Sequence, residues 1–223
     1  MSKLGADVLA NLILDGLWET LYMVLISTVI SYVIGIPLGI IVFITDKNGI
    51  CRNRPIHFVT GTIINILRSV PFLILLVALI PFTRMVVGTS IGSDATIVPL
   101  VIAAGPFVAR LVESSLKEVD PGVVEAAEAM GSSKWQIIQK VLLPEARPSL
   151  MVGVTIAFAT ILGYSAMAGF TGGGGLGAIA VNYGYYRYNT DVMLITCAVL
   201  VIIVQVVQEL GIRYVNRTDK RLK

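Results

Sequence analysis

Five long apolar runs, at residues 17–43, 58–82, 94–112, 149–170 and 192–212, constrain this chain more than any other feature. Each is near the ~20 residues a helix needs to cross a hydrocarbon layer. No water is available there to bond a free N–H or C=O, so a run of this kind must satisfy its backbone internally, as a helix. Charged residues make up 14% of the chain and hydrophobic ones 56%, with a mean hydropathy of +0.84. A soluble domain carries about 25% charged residues, so a water-soluble core is excluded. The expectation is an all-α, polytopic membrane protein of five transmembrane helices, with residues 1–223 forming a single transmembrane domain.

Details within the runs refine this picture. The third is interrupted by Pro99 and Pro106 and bounded by Asp94 and Arg110. Proline removes a backbone donor that neighbouring helices must make good, which predicts a span packed inside a bundle. In the second, Pro71 predicts a break or kink. The first is too long for a signal-peptide core and is read as a retained helix. Residues 4–13 ahead of it read as a short amphipathic helix lying on the outer surface.

Positive charge sets the orientation. Lys47, Arg52 and Arg54 lie between runs one and two, and Arg110, Lys117, Lys134, Lys140 and Arg147 between runs three and four. Arg213, Arg217, Lys220, Arg221 and Lys223 follow run five. The other side holds only Lys3, Arg84 and Arg187. Lys and Arg near span ends mark the cytoplasm, so the N-terminus is expected outside and the C-terminus inside. The basic tail is expected to meet membrane lipid at the inner leaflet.

The segment 113–148 between runs three and four is the longest hydrophilic stretch, and by the charge rule it is cytoplasmic. Asp120 is placed as N-cap with Pro121 at the first helical position. A helix over 122–130 should then end at Gly131 in a left-handed conformation. Ser133 and Gln136 fit a capping box that opens a second helix through Leu142, stopped by Pro144 and Pro148. Two short helices around a glycine corner make a compact knob that fits a partner's cleft. Ala126, Ala127 and Ala129 keep one face shallow, while Trp135, Ile137 and Ile138 offer apolar anchoring. Glu125 is suited to hold the turn or to meet a basic group. An amphipathic surface pair with no partner is the plainer alternative.

Inside the membrane, Arg68 is the ionisable residue set deepest in a run. It is read either beside a pathway or seam, or as a pin to a helix C-terminus. Tyr164, Ser165 and Met167 lie in a small-residue stretch of run four, with Tyr164 and Met167 on one helical face. They are candidates for a translocation path or gate, with ordinary packing as the alternative. Gln205, Gln208 and Glu209 read as interhelical and interfacial groups. Cys51, Cys197 and the lone His57 show no metal-ligand spacing.

Several motif matches carry no function here. No G-x-x-x-x-G-K-[ST] occurs, so any nucleotide hydrolysis belongs to another polypeptide. Gly172 to Gly177 satisfies G-x-G-x-x-G but follows a membrane helix instead of a strand, and reads as a flexible outer loop. Asn216-Arg217-Thr218 matches a glycosylation acceptor on the expected cytoplasmic side and is set aside. No cofactor, metal or nucleic acid is expected.

The segment Glu125-Ala126-Ala127-Glu128-Ala129-Met130-Gly131, followed after nine residues by Val141-Leu142-Leu143-Pro144, fits the pattern E-A-A-x-x-x-G-x9-I-x-L-P except at Val141. It resembles the coupling loop of permease subunits of ABC importers. Arg68-Ser69-Val70-Pro71-Phe72, Ile80-Pro81-Phe82-Thr83-Arg84, Gly163-Tyr164-Ser165-Ala166-Met167 and Tyr183-Gly184-Tyr185 are similar to the permeases of methionine importers. Departures cluster at Phe170 and residues 178–182. The resemblance implies a type I importer fold in a bacterial cytoplasmic membrane, working as a homodimer. It also implies two cytoplasmic ABC ATPase subunits and an external substrate-binding protein, lipid-anchored or soluble. The function implied is import of methionine, with D-methionine and derivatives left open, and no catalysis by this chain. Glu125, Ala126, Ala127, Gly131, Trp135, Leu143 and Pro144 would then couple to the ATPase. An importer for another small solute, or a passive channel or membrane scaffold, would make different use of the same loop.

Overall fold

The computed structural model describes residues 6–218, with side chains described over 7–215. Those residues are helical, without strands. In chain order they form α1 (Ala6–Thr45), α2 (Arg54–Ser69), α3 (Phe72–Ala78), α4 (Ile80–Val87) and α5 (Ser93–Lys117). There follow α6 (Pro121–Ala129), α7 (Lys134–Ile137), α8 (Leu143–Glu145), α9 (Arg147–Ala168), α10 (Gly175–Ile179) and α11 (Thr190–Thr218). A wide π-type turn at Ile138–Leu142 joins α7 to α8 end to end, and another at Ala180–Tyr185 continues α10. Four helices are long and apolar enough to cross a membrane, and α2 with α3, bent by 99° at their break, adds a fifth if the pair is one span.

Three expectations need correction. The first apolar run does not begin after a separate surface helix: α1 is one helix of 40 residues, about 60 Å long and twice the ~30 Å hydrocarbon thickness. Leu17 belongs with Leu9, Leu12 and Ile13 against a cluster of Leu176, Ile179 and Val192, so burial against α10 and α11 extends the helix outward. Leu4 and Gly5, and the tail cations Lys220, Arg221 and Lys223, lie outside the described residues.

The second run is not one span to Phe82. Val70 is extended and Pro71 starts α3, so the chain turns sharply and Ile80–Val87 forms its own helix ending at Gly88 in a left-handed conformation. Proline disfavours helix at the preceding residue, which is why the break falls at Val70.

Nor do the prolines break the third run. Pro99 and Pro106 are buried inside a continuous α5. Of its most apolar stretch 56% is buried, against 11% for α11, so α5 is the axis of the bundle. That burial matches the expectation of a span packed among neighbours. α1 lies along α5 at close range. A Cβ at Gly35 would sit 2.6 Å from Val108, and one at Gly39 2.6 Å from the Ala109 carbonyl. Small residues permit this approach, which in a membrane supplies much of the packing energy.

Two cores stack along α5. One gathers Met23, Phe72, Leu100, Phe158 and Ile161, and the other gathers Val112, Leu116, Ile137, Leu142 and Ala157 near residues 113–148. Threonines in α1 are satisfied by back-bonding, as Thr20 to the Gly16 carbonyl (2.8 Å) and Thr28 to that of Val24 (2.7 Å).

Candidate coupling and translocation site

The segment 113–148 folds into the expected knob. Asp120 Oδ1 accepts from the Gly122 N–H at 2.7 Å, and Pro121 opens α6. Gly131 has φ +79°, the left-handed region in which L side chains cost energy. Its N–H donates to Glu128 O at 2.9 Å, and that of Ser132 to Ala127 O at 3.1 Å, closing the helix end. Ser133 and Gln136 form the capping box reciprocally, at 2.8 and 3.3 Å.

Beyond Ile137 the knob departs from expectation. Pro144 and Pro148 do not stop the second helix. It runs through the wide turn at Ile138–Leu142 into α8, and after Ala146 into α9. Pro144 has no N–H for the Lys140 carbonyl, and its ring would strike it in a regular helix. The wide turn, where the Leu143 N–H reaches Ile138 O five residues back, resolves both problems. The knob is therefore joined to a membrane span by helical turns, with Ala146 alone between α8 and α9.

Burial divides the motif residues. Ala127, Ile137, Ile138 and Leu142 are buried with Val119 and Leu116, and Leu143 is half-buried beside them. Ile137 and Ile138 thus anchor the knob to its own bundle, correcting their expected role towards a partner. Glu125, Ala126, Gly131 and Pro144 are exposed. Trp135 is 64% and Met130 79% exposed, with Val123 on the same side. An open cavity of about 470 Å³ adjoins α6, lined among others by Phe43, Asp46, Ile50, Lys117, Glu125 and Glu128.

The gate candidates are not brought together as one cluster. Tyr164 is half-buried and stacks on Phe72 of α3. Ser165 faces the chain's own core, donating to Leu162 O at 2.8 Å. Met167 is 49% exposed. Arg68 lies in the last turn of α2, beside the break before α3, with its guanidinium 6.0 Å from the Phe107 ring centroid. That placement suits a cation at a helix C-terminus.

What the sequence reading missed is an open stripe along α9: Val152, Ile156, Gly163, Met167 and then Phe170 are exposed at helical spacing. Thr160 is half-buried between them. The signal was available in the steps of three and four residues, but the same spacing is read equally well as core.

The glycine run is also corrected. Gly172 to Gly177 is a packed crossing, not a flexible loop. Gly173 O accepts from Thr96 Oγ1 at 3.1 Å, the Gly175 N–H donates to Glu19 Oε2 at 2.6 Å and that of Leu176 to Thr20 Oγ1 at 2.9 Å. Positive φ at Gly172, Gly174 and Gly175 threads the chain between α1 and α5. His57 is half-buried with Nδ1 3.0 Å from Val42 O. No group of three His, Cys, Asp or Glu suited to a metal occurs among the described residues.

Residues 35–218 match the family model described as binding-protein-dependent transport system inner membrane component. A relative from Vibrio cholerae serotype O1, named probable D-methionine transport system permease protein MetI, is 51% identical over 95% of this chain and 94% of its own length. The D-methionine transport system permease protein MetI of Escherichia coli K12 is 49% identical over 71% of this chain and 73% of its own. Among solved structures, one described as inward facing conformations of the MetNI methionine ABC transporter superposes with a TM-score of 0.95 at 46% identity. It covers 97% of this chain and all of the matched one.

Proposed function

This chain belongs to the family of binding-protein-dependent transport system inner membrane components, and from that premise we propose that it is the permease subunit of an ATP-driven methionine importer. The supporting observation is the knob: α6, the Gly131 corner and α7 are fixed to the bundle by buried Ala127, Ile137 and Leu142. They leave Trp135 and Met130 exposed among the described residues.

In this reading the knob faces the cytoplasm, with the N-terminus of α1 outside and the C-terminus of α11 inside. The charge distribution supports that orientation. Two copies pair, two ATPase subunits hold their knobs, and an external binding protein delivers substrate from the other side. ATP-driven closure of the ATPases moves each knob as a body. Because Ala146 is the only residue between helical turns from α7 to α9, the movement passes directly into the span carrying Tyr164 and Met167. The open stripe of α9 then lines the seam or path between two copies, where Met167 offers a flexible, polarizable contact to an apolar, sulfur-bearing side chain. Hydrolysis resets the path inward. Glu125, Ala126, Ala127, Gly131, Trp135, Leu143 and Pro144 serve the coupling, and Arg68 fixes the end of α2 beside the path.

The test is uptake of labelled L-methionine by proteoliposomes holding this chain, its ATPase and its binding protein, with and without ATP. ATP-dependent uptake supports the reading. ATP turnover without methionine uptake would remove the substrate and leave the permease, with a panel of other amino acids as the next measurement.

A further inference from the structure

A line of polar side chains crosses from α2 to the root of the knob. Arg110 of α5 donates from Nη2 to Asn65 Oδ1 at 2.7 Å and to Gly61 O at 3.4 Å, both on α2. From Nη1 it donates to Glu113 Oε2 at 2.5 Å. The other oxygen of Glu113 accepts from Lys117 Nζ at 2.6 Å. Lys117 lines the cavity that Glu125 and Glu128 of α6 also line. Positions 110, 113 and 117 are spaced by three and four, so they share one face of α5. A shorter line runs beside it: Asp46, in the same cavity, lies 3.8 Å from His57 Nε2 on α2.

The Glu113 side chain is only 5% exposed. A buried ion group is commonly no more stabilising than apolar residues of the same volume, so stability by itself does not account for this one. What such groups do supply is register, because their bonds are directional where apolar contact is not. α2 has need of it. It is held by a small cluster of Val42, Ile64 and Ala109, while its Phe58, Ile63 and Ile66 are exposed. The same helix ends at the break at Val70, two residues before Phe72, whose ring stacks on Tyr164.

We propose that Arg110, Glu113 and Lys117 are positioning residues by which movement of the knob, passed along α5, reaches α2 and so the break beneath the Phe72–Tyr164 stack, with Arg110 as the link to α2 and Glu113, held by Lys117, fixing its fork. The proposal rests on the importer reading above. Two routes then leave the knob: one along the chain through α8 and α9, and one along α5 and across the Arg110 bonds to α2. Acting together they move both rings of the stack.

The experiment uses the full complex in proteoliposomes. Glu113→Gln and Asn65→Leu are expected to lower substrate moved per ATP by roughly tenfold, within the range for substitutions along coupling networks, while ATP turnover and assembly persist. Arg110→Lys keeps the charge but loses the fork that reaches two partners, and is expected to fall between. Arg213→Gln, which breaks the exposed pair with Glu209, is expected to leave the ratio unchanged. Spin labels at Phe58→Cys on α2 and Gln139→Cys on the knob, in a chain with Cys51 and Cys197 changed to Ser, read the link without any substrate. ATP should alter both spectra in the parent, and Glu113→Gln should abolish only the α2 response.

An unchanged transport ratio with an intact α2 response in Glu113→Gln would overturn the proposal. Should that variant fail to assemble, Asn65→Leu decides by the same readings, since it leaves both Glu113 pairs in place. A parent that responds to ATP without moving methionine would overturn the substrate alone, with the labels still deciding the relay. A parent whose knob label ignores ATP would overturn the importer reading and the relay with it.

Discussion

The rings of Phe72 and Tyr164 lie face to face, with centroids 4.5 Å apart and planes 6° from parallel. The first residue of α3 after the α2–α3 break is thereby clamped to the far third of α9. Such a pair contributes about 0.5–1.5 kcal/mol beyond the area it buries, and here it also fixes where the short helix crosses the span.

Tyr164→Phe keeps the ring and is expected to leave stability and uptake unchanged, because the stack, and no hydrogen bond of the hydroxyl among the described residues, holds the side chain. Tyr164→Ala removes the clamp and is expected to cost about 1–3 kcal/mol, below a fully buried aromatic because the ring is half-buried. Thermal unfolding in detergent and the uptake assay check both. Equal behaviour of the two variants would show that the stack is incidental.

Gly131 offers a backbone test free of steric complication. A Cβ there would meet nothing within 4 Å, so any cost of Gly131→Ala comes from φ +79° alone, about 1–2 kcal/mol. Gly131→Asn should cost less, since Asn tolerates that conformation, and Gly131→Pro should cost most because its φ is fixed near −65°. The expected order of ATPase retention in a pull-down is Gly, Asn, Ala, Pro.

Trp135→Ala should leave unfolding in detergent within about 0.5 kcal/mol of the parent, as expected for an exposed side chain. Its effect should appear in assembly, where a truncated aromatic hot spot costs upwards of about 2 kcal/mol, roughly thirtyfold in affinity for the ATPase. Titration of the labelled chain with the ATPase measures it. Unchanged affinity would place the docking surface elsewhere on the knob.

Gly39→Val inserts a side chain where a Cβ would already lie 2.6 Å from the Ala109 carbonyl and 2.7 Å from Val112. Backbone cannot yield as a side-chain tip does, so a loss at or above the ~3 kcal/mol upper range of overpacking is expected, and poor expression with it. Size-exclusion profiles in detergent would show aggregation in place of a single species.

Gly163→Leu is the counterpart. Nothing lies within 4 Å of a Cβ at this position on the open stripe of α9. Removing a helix-interior glycine should stabilise the isolated chain by roughly 0.5–1 kcal/mol. Added bulk on a surface that meets a second copy or the path should nonetheless abolish uptake. A variant that folds better and transports normally would turn that stripe towards lipid.

Much of the fold was legible because the bilayer leaves few options. Runs of this length and apolarity are helices wherever they sit. The knob was legible residue by residue, since Asp120, Gly131, Ser133 and Gln136 act on backbone within three residues of themselves, and local chemistry of that kind does not wait for tertiary contacts. The motif spacing added a partner class that no propensity could supply. Less legible was everything that depends on what lies opposite. Pro71 and Pro144 look alike in sequence, as prolines in apolar surroundings. One ends a helix with a 99° bend, and the other is absorbed by a wide turn because Leu142 and Ala146 are buried on either side of it.

The sequence by itself determined that this chain spans a membrane in helices, and that it presents a glycine-cornered knob, because both follow from covalent neighbours and solvent. Only the tertiary structure decided that α5 is the axis, that Gly172 to Gly177 is a packed crossing and that Arg110 ties α5 to α2. Those facts are set by distances between residues far apart in the chain. Hydrophobic patterning constrains such distances weakly, because apolar contact has no preferred direction. The directional bonds from Arg110 to Asn65 and from Gly175 to Glu19 fix what the apolar runs leave free.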